Sequence, residues 1–468
     1  MAGSTSRGII SYAGYLPYRR LDRSTIAPVA GAGGGKGTRT VASYDEDTTT
    51  MAVEAARLAL RAVPDARPEA VYLATTNPAY LDKTNATTVH AALRLGSDVV
   101  AADFGGAARS AVAALRVALR SDEAALVVAS DLRSGLPGSA DEAGSGDAAA
   151  ALLVGGAGAG PLLAELIGAG SATEEFVDRW RLPGEARSKL WEEKFGEGKY
   201  LALGEQAWVA ALKDAGLNAG DVDHVIVSGT HARAVGSFSK RLATSVPGIE
   251  DDLSATVGLT GAAHAALLLS ATLDRAEPNR VLGLVSLADG ADVFLFRTTP
   301  ALAGFSAARP VAAQLAAGGP VGYGKYLAWR GFLPVEPPRR PEPNRVSSSA
   351  AARSGDWKYG FVGSRNQSTG QLQLPPAVQL EDPLESAPMS EARGTVITYT
   401  VDRLAYSPSP PIVFAVVDFD GGGRLPVELT DVDADQVHIG DRVEMTFRKL
   451  YTVDGIHNYF WKARPVRD

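Results

Sequence analysis

Cysteine is absent from all 468 residues, so no disulfide and no thiolate metal site can form. Histidine is scarce, with six residues, and none lies between Ala265 and Val437. No apolar run approaches the roughly 20 residues that span a bilayer, and the N-terminal residues lack a secretory-signal pattern. No membrane partner is expected, and the cytoplasm is the expected compartment. Positive charge is in deficit, 46 Lys and Arg against 53 Asp and Glu for a net charge of −7, which argues against a nucleic-acid groove. A dinucleotide fingerprint after a strand, an EF-hand, HExxH and GxSxG are all missing.

What is present is a long, soluble-type composition, 46% hydrophobic and 21% charged, enough for two or three domains. Short β-rich runs at 71–74 and 125–129 alternate with Ala/Leu-rich helical stretches at 51–62 and 110–119. The rhythm returns with helices at 204–215 and 261–275 and strands at 224–228 and 280–286. Strand–helix alternation means α/β layers, and its recurrence predicts two related halves. Residues 173–200, rich in charge and carrying Trp180 and Trp191, read as an insertion over an active-site entrance.

From about 300 to 345 the composition shifts toward Pro, Arg and Ala, as in Pro334-Val335-Glu336-Pro337-Pro338-Arg339-Arg340-Pro341. Proline blocks helix and sheet propagation, so an extended connector with room for one short helix is expected. Beyond 390 five short runs, 394–400, 412–418, 425–429, 442–447 and 459–462, match the strand count of an OB barrel.

The segment Ala101-Ala102-Asp103-Phe104-Gly105-Gly106-Ala107-Ala108 reads as strand, tight turn and helix start. A side chain at such a turn lies near backbone N–H groups and the positive end of a helix. Asp103 is the ionisable group there. It either caps the following helix or works as an acid or base in a pocket.

Several ordered motifs in the first 300 residues resemble the HMG-CoA synthase branch of the thiolase superfamily. They are Tyr44-Asp45-Glu46-Asp47 with Thr50-Met51-Ala52-Val53-Glu54-Ala55-Ala56, Asp103-Phe104-Gly105-Gly106, Ser145-Gly146-Asp147-Ala148-Ala149-Ala150, and Thr230-His231. Gly258-Leu259-Thr260-Gly261-Ala262 and the 286–290 turn match more loosely. The tail, including Tyr326-Leu327-Ala328-Trp329-Arg330-Gly331 and Ile439-Gly440-Asp441-Arg442-Val443, resembles the rubredoxin-like plus OB-fold family that accompanies thiolase-like enzymes. The expected fold is a duplicated thiolase-like α/β sandwich, a small linker module and an all-β OB barrel. The expected domains are 5–165, 166–300 with its insertion, 301–390 and 391–468. Ser364-Arg365-Asn366-Gln367 stands where that family's first CxxC pair would be, so a metal-free remnant is expected.

The resemblance also implies site residues. Asp103 would stand at the acyl-carrying cysteine position and act as general base. His231 would donate to an oxyanion or alkoxide. Thr76 takes the place of the family's glutamate base, and Val257 replaces a polar residue. His264 is either a pocket residue or a partly buried helix histidine. Gly31-Ala32-Gly33-Gly34-Gly35-Lys36-Gly37-Thr38 fails the phosphate-loop spacing and reads as a surface loop. Lys36, Arg39 and Lys240 are the candidate contacts for coenzyme A, which enters as part of the substrate with no permanent cofactor. Ser145-Gly146-Asp147 reads as a structural strand-entry turn.

Without a thiol, acylation and hydrolysis drop out and the carbon–carbon step remains. The implied activity is an aldolase or retro-aldolase on a β-hydroxyacyl-CoA. The alternatives are a cysteine-independent acyltransferase or condensing enzyme, and a non-catalytic CoA-binding scaffold. A homodimer, or a complex with other thiolase-pathway subunits, is the expected assembly.

Overall fold

The computed structural model describes residues 6–377 and 383–467. The first half supplies strands β1 (Arg7–Tyr15), β2 (Ala70–Thr75), β3 (Val100–Gly105), β4 (Ala125–Asp131) and β5 (Ala148–Gly156). Its helices are α1 (Thr48–Arg61), α2 (Ala86–Ala92) and α3 (Arg109–Arg120). The second half supplies strands β6 (Ala164–Ala172), β7 (His224–Gly229), β8 (Val281–Leu287) and β9 (Ala291–Thr298). Its helices are α4 (Glu193–Ala215), α5 (Ala232–Leu242) and α6 (His264–Leu273).

These strands form one nine-stranded sheet in the order β7-β8-β9-β6-β1-β5-β4-β2-β3. Strand directions expose the duplication. From β1 outward the pairings run antiparallel to β5, antiparallel to β4, then parallel to β2. From β6 outward they run antiparallel to β9, antiparallel to β8, then parallel to β7. The halves meet where β1 pairs antiparallel with β6. Central strands such as β4 are buried throughout, as near-continuous apolar runs with both faces covered should be.

Helix α1 starts with a capping box, Asp47 accepting from the Thr50 amide at 2.9 Å while Thr50 Oγ1 accepts from the Asp47 amide at 2.8 Å. Almost all of α1 is buried, Glu54 and Arg57 included. The polar pair is tolerated because α1 also faces the C-terminal barrel. That barrel is closed by β10 (Arg393–Asp402), β11 (Ile412–Phe419), β12 (Arg424–Leu429), β13 (Arg442–Val453) and β14 (Ile456–Pro465). All five expected runs are its strands.

A buried ionic network joins barrel to sheet. Arg448 contacts Glu46 at 3.2 Å, Asp431 at 3.1 Å and Asp45 at 3.8 Å. Lys462 contacts Asp45 at 3.0 Å and Glu428 at 2.6 Å, and Arg464 contacts Glu54 at 3.2 Å. The motif Tyr44-Asp45-Glu46-Asp47 thus turns its acids toward the barrel.

The connector is more helical than its prolines suggested. Helices α7 (Val311–Ala316) and α8 (Tyr323–Trp329) lie within it. Gln314 on α7 fixes it to β1, accepting from the Leu16 amide at 2.8 Å and donating to the Gly14 carbonyl at 2.8 Å. Ser364-Arg365-Asn366 lies in a three-stranded sheet, Val362–Asn366 between Leu372–Gln373 and Leu384–Pro388. Phe361 beside it stacks on Trp461 of the barrel with centroids 5.8 Å apart. No helix among the described residues is long and apolar enough to cross a membrane, and no group of three or more His, Cys, Asp or Glu among them could hold a metal.

Candidate active site

Parallel strand β7 ends at Gly229, and Thr230 and His231 follow before α5 begins. Pockets of α/β sheets open at the carboxyl ends of such strands. Here a cavity of about 580 Å³ opens beside Thr230 and His231. Its other walls are the 178–193 segment (Asp178, Arg179, Leu190, Trp191, Glu192, Glu193), Asp141 and Ser145, Arg133, and Leu259 with Gly261. Part of the charge- and tryptophan-rich 173–200 segment thus lines this cavity, with a short hairpin of Arg179–Trp180 and Lys189–Leu190. Its last residues, from Glu193, are already the start of α4.

His231 is buried and caps α5, its Nδ1 accepting from the Ala234 amide at 3.1 Å. Because an amide can only donate, the ring hydrogen belongs on Nε2, which lies 3.0 Å from the Glu193 carbonyl. Both ring nitrogens are engaged, and Nε2–H is the one that can be redirected to a ligand oxygen.

Asp178 is the buried carboxylate next to His231. A Cβ added to Gly196 of α4 would lie 2.9 Å from the Asp178 Cβ and 3.4 Å from the His231 ring. Asp178 accepts from the Tyr200 hydroxyl at 3.3 Å, and the Tyr200 ring is 5.8 Å from that of His231. Burial pushes the Tyr200 hydroxyl up, which keeps it a donor. Burial, then the charge of Asp178, also raises the carboxyl of Asp289, whose amide donates to Tyr200 at 3.3 Å.

A second cluster lies behind Arg133 and Gly261. Buried Asp131 accepts from the Thr76 amide at 3.0 Å, from Thr76 Oγ1 at 2.8 Å and from the Ala262 amide at 2.9 Å. Burial holds its carboxyl above the usual range, and burial pushes the Arg133 guanidinium down. Arg133 donates to Thr76 Oγ1 at 3.0 Å and itself faces the cavity. Thr76 therefore sits one residue behind the wall and positions Arg133. Arg179 forms a two-pronged pair with Asp141, at 3.0 and 2.7 Å.

Several expectations need correction. Asp103 is neither at the turn nor among the walls of this cavity. Strand β3 continues past it to Gly105, and its carboxylate accepts from the Asn85 amide at 2.7 Å, Asn85 Nδ2 at 2.9 Å and the Ala86 amide at 2.8 Å. It thus caps α2 rather than α3. The turn belongs to Gly106, with φ of 96° and open space where a Cβ would stand. Arg39 is fully buried and bonded to the Glu142 and Arg133 carbonyls at 2.6 and 2.7 Å, and to Asp147 at 3.4 Å; it cannot reach a coenzyme. Val257 lies in the core, and Leu259, two residues on, lines the cavity.

His264 is buried at the start of α6 and is not among the cavity walls. Its Nδ1 lies 3.2 Å from Thr260 Oγ1, its Nε2 has no partner, and burial pushes it down to about 4. Lys36 and Lys240 are exposed and outside the cavity walls. Asp147 in the strand-entry turn is structural, paired with Arg39 and Arg330. Asp178, Tyr200, Arg133 and Arg179 carried no motif, so sequence reasoning passed over them. The only signal was the unusual charge and tryptophan content of 173–200.

Comparison with known proteins identifies the family and the fold. A hydroxymethylglutaryl-CoA synthase from Methanopyrus kandleri is 30% identical over 320 residues, 64% of this chain and 89% of the relative. Another, from Archaeoglobus fulgidus, is 29% identical over 341 residues, 69% of this chain and 98% of the relative. Among solved structures, PksG, an HMG-CoA synthase from Bacillus subtilis, superposes with a TM-score of 0.58 at 19% identity, covering 70% of this chain and 89% of that one. The 3-oxoacyl-(acyl carrier protein) synthase III FabH from Pseudomonas aeruginosa gives a TM-score of 0.54 at 20% identity, over 63% of this chain and 98% of that one. Residues 387–448 match the family described as the C-terminal OB-fold domain of ChsH2. The chain belongs to the hydroxymethylglutaryl-CoA synthase family, on a thiolase-like fold, and carries an OB-fold barrel at its C-terminal side.

Proposed function

We propose that this protein makes or breaks a carbon–carbon bond in an acyl-CoA, as an aldolase or retro-aldolase on a β-hydroxyacyl-CoA with no acyl-cysteine intermediate. The observation that carries the reading is chemical: the chain has no cysteine, and glycine occupies the strand–turn–helix position. A carboxylate and an imidazole nevertheless share one cavity wall.

In the cleavage direction Asp178 takes the β-hydroxyl proton and the Cα–Cβ electron pair moves into the thioester as an enolate. His231 Nε2–H turns from the Glu193 carbonyl to the enolate oxygen, a preorganised donor where charge develops. The Cα carbanion equivalent then picks up a proton. The products are a ketone or aldehyde and a shortened acyl-CoA. Arg133 supplies positive charge on the cavity wall for the phosphates of coenzyme A, with Arg179 held beside it by Asp141. Because the relatives are synthases, the reverse addition to a carbonyl is the same reaction read backward. An acyltransferase would instead move the acyl group without releasing a carbonyl product.

A homodimer fits the same reading, since β3 ends the sheet with one edge unpaired among the described residues. The test is a panel of β-hydroxyacyl-CoA substrates with chromatographic detection of the shortened thioester and the carbonyl product. Asp178→Asn keeps the shape and is expected to lower turnover about 100-fold or more, the range for loss of a general base. Equal turnover in the variant removes Asp178 from the mechanism, and absence of any carbonyl product removes the reaction.

A further inference from the structure

Large apolar side chains left exposed are unevenly spread along the chain. Of the 18 that stand exposed among the described residues, six fall between Val177 and Phe195. Single exposed apolar residues are ordinary, but a concentration of them marks a surface that something covers. Two of the six, Leu190 and Trp191, are walls of the active-site cavity, and each is 60% exposed. Their backbone is anchored: Leu190 pairs with Arg179 across the short hairpin, and the Trp191 amide donates to the Asp178 carbonyl at 2.8 Å. Glu192 then takes a left-handed φ of 48° as the chain turns into α4. That conformation costs free energy in a residue other than glycine and recurs at ligand clamps. An indole and an isobutyl group are thus carried on a held backbone into a cavity of about 580 Å³ that they do not fill.

The other walls narrow what can lie there. Leu259, Ala140 and Ala232 add apolar surface, and Gly229 and Gly261 leave room. The charged walls offer little to an anionic chain end. Arg179 is taken by Asp141, and Arg133 shares Thr76 with buried Asp131 and is the cation assigned above to the coenzyme phosphates. Glu192, next to Trp191, carries an exposed carboxylate with no side-chain partner among the described residues. A second carboxylate brought to that edge would meet like charge.

We propose that the acyl group handled in this cavity is a bulky apolar one, lying on Leu190 and Trp191 and ending without charge; the inference rests on the acyl-CoA reading of the same site. Leu190 and Trp191 then set specificity: they touch the chain beyond the reacting carbons and leave the chemistry to Asp178 and His231. Glu192 rejects chains that end in a carboxylate.

The test is titration calorimetry of the full-length protein with butyryl-CoA, octanoyl-CoA and the eight-carbon chain ending in a carboxylate, on wild type, Trp191→Ala, Leu190→Ser and Glu192→Gln. These thioesters lack a β-hydroxyl, so binding is read without turnover, and all three side chains are exposed, so the variants do not threaten the fold. Burying one methylene is worth about fourfold in affinity, so octanoyl-CoA should bind wild type at least about tenfold more tightly than butyryl-CoA. Trp191→Ala and Leu190→Ser should each remove most of that gain while leaving butyryl-CoA unaffected. The acid-ended chain should bind no better than butyryl-CoA, and Glu192→Gln should tighten it. Equal binding of the short and long chains, or a gain that both apolar variants leave intact, overturns the proposal. An acid-ended chain that binds as tightly as octanoyl-CoA overturns the uncharged end. Carbonyl release from a β-hydroxyacyl-CoA with no preference for long chains sinks this inference alone, and a long-chain preference without any carbonyl product sinks the aldolase reading alone.

Discussion

The junction between barrel and sheet makes a pH prediction that can be worked through. Asp45, Glu46 and Asp431 converge on Arg448, and the second cation, Lys462, pairs with Asp45 of these three and with Glu428. Against the cost of burial, Lys462 and Arg448 hold Asp45 down to about 2. Glu46 gets less help: burial, offset only in part by Arg448 and reinforced by Asp431, pushes it up from 4.5 to about 7. A carboxyl whose folded value lies above its unfolded value favours the folded state when protonated. That contribution is complete below about pH 4.5 and disappears as pH rises through about 7. At roughly 1.4 kcal/mol per unit, the swing is on the order of 3 kcal/mol. Glu46→Gln keeps an oxygen to accept from Tyr15, as a Glu46 carboxyl oxygen does at 2.5 Å, and removes the titration; its amide NH2 loses the bond from the Ser43 amide, a cost that does not vary with pH. Thermal unfolding of both proteins from pH 4 to pH 8.5 is the assay. The variant should gain on the wild type as pH rises, ending a few °C ahead in relative midpoint at pH 8.5. A midpoint difference that stays constant across this range would refute the reasoning that Glu46 is the protonated member of the cluster.

Two further substitutions address the corrected positions. Asp103→Asn loses part of the α2 cap and should cost about 1 kcal/mol of stability with turnover unchanged; a 100-fold loss of turnover would return Asp103 to the chemistry. Gly106→Cys places a thiol in open space at the strand–helix turn, against the strain of a φ of 96°. Intact-protein mass spectrometry after incubation with an acyl-CoA should detect an acyl adduct on this variant, and its absence would show that the turn is not the nucleophile position.

The sheet and barrel were legible because burial imposes simple patterns. Runs such as 125–129 and 412–418 are apolar or alternating, and each lies within a strand. His231 was legible for a similar reason, standing just past an apolar strand. Asp103 was misplaced because the apolar run stops at Ala102. As an edge strand, β3 continues through Phe104, which packs on Tyr72 of β2 at 5.3 Å. Arg39 looked exposed beside a glycine-rich loop, but its partners Glu142 and Asp147 lie about a hundred residues away. Asp178 was illegible because one acid in a charged insertion looks like any solvated residue until Tyr200 and His231 fold against it. The helices of the connector were hidden for the same cause: Gln314 closes contacts to β1 across some 300 residues.

The fate of a β-hydroxyacyl-CoA in contact with the wild-type protein tests the proposed chemistry most directly. Incubation followed by mass spectrometry of both the protein and the small molecules reads it in one experiment. The expected result is a ketone or aldehyde with a shortened acyl-CoA, while the protein mass stays unchanged. An acylated protein, or a thioester consumed without any carbonyl product, would contradict it.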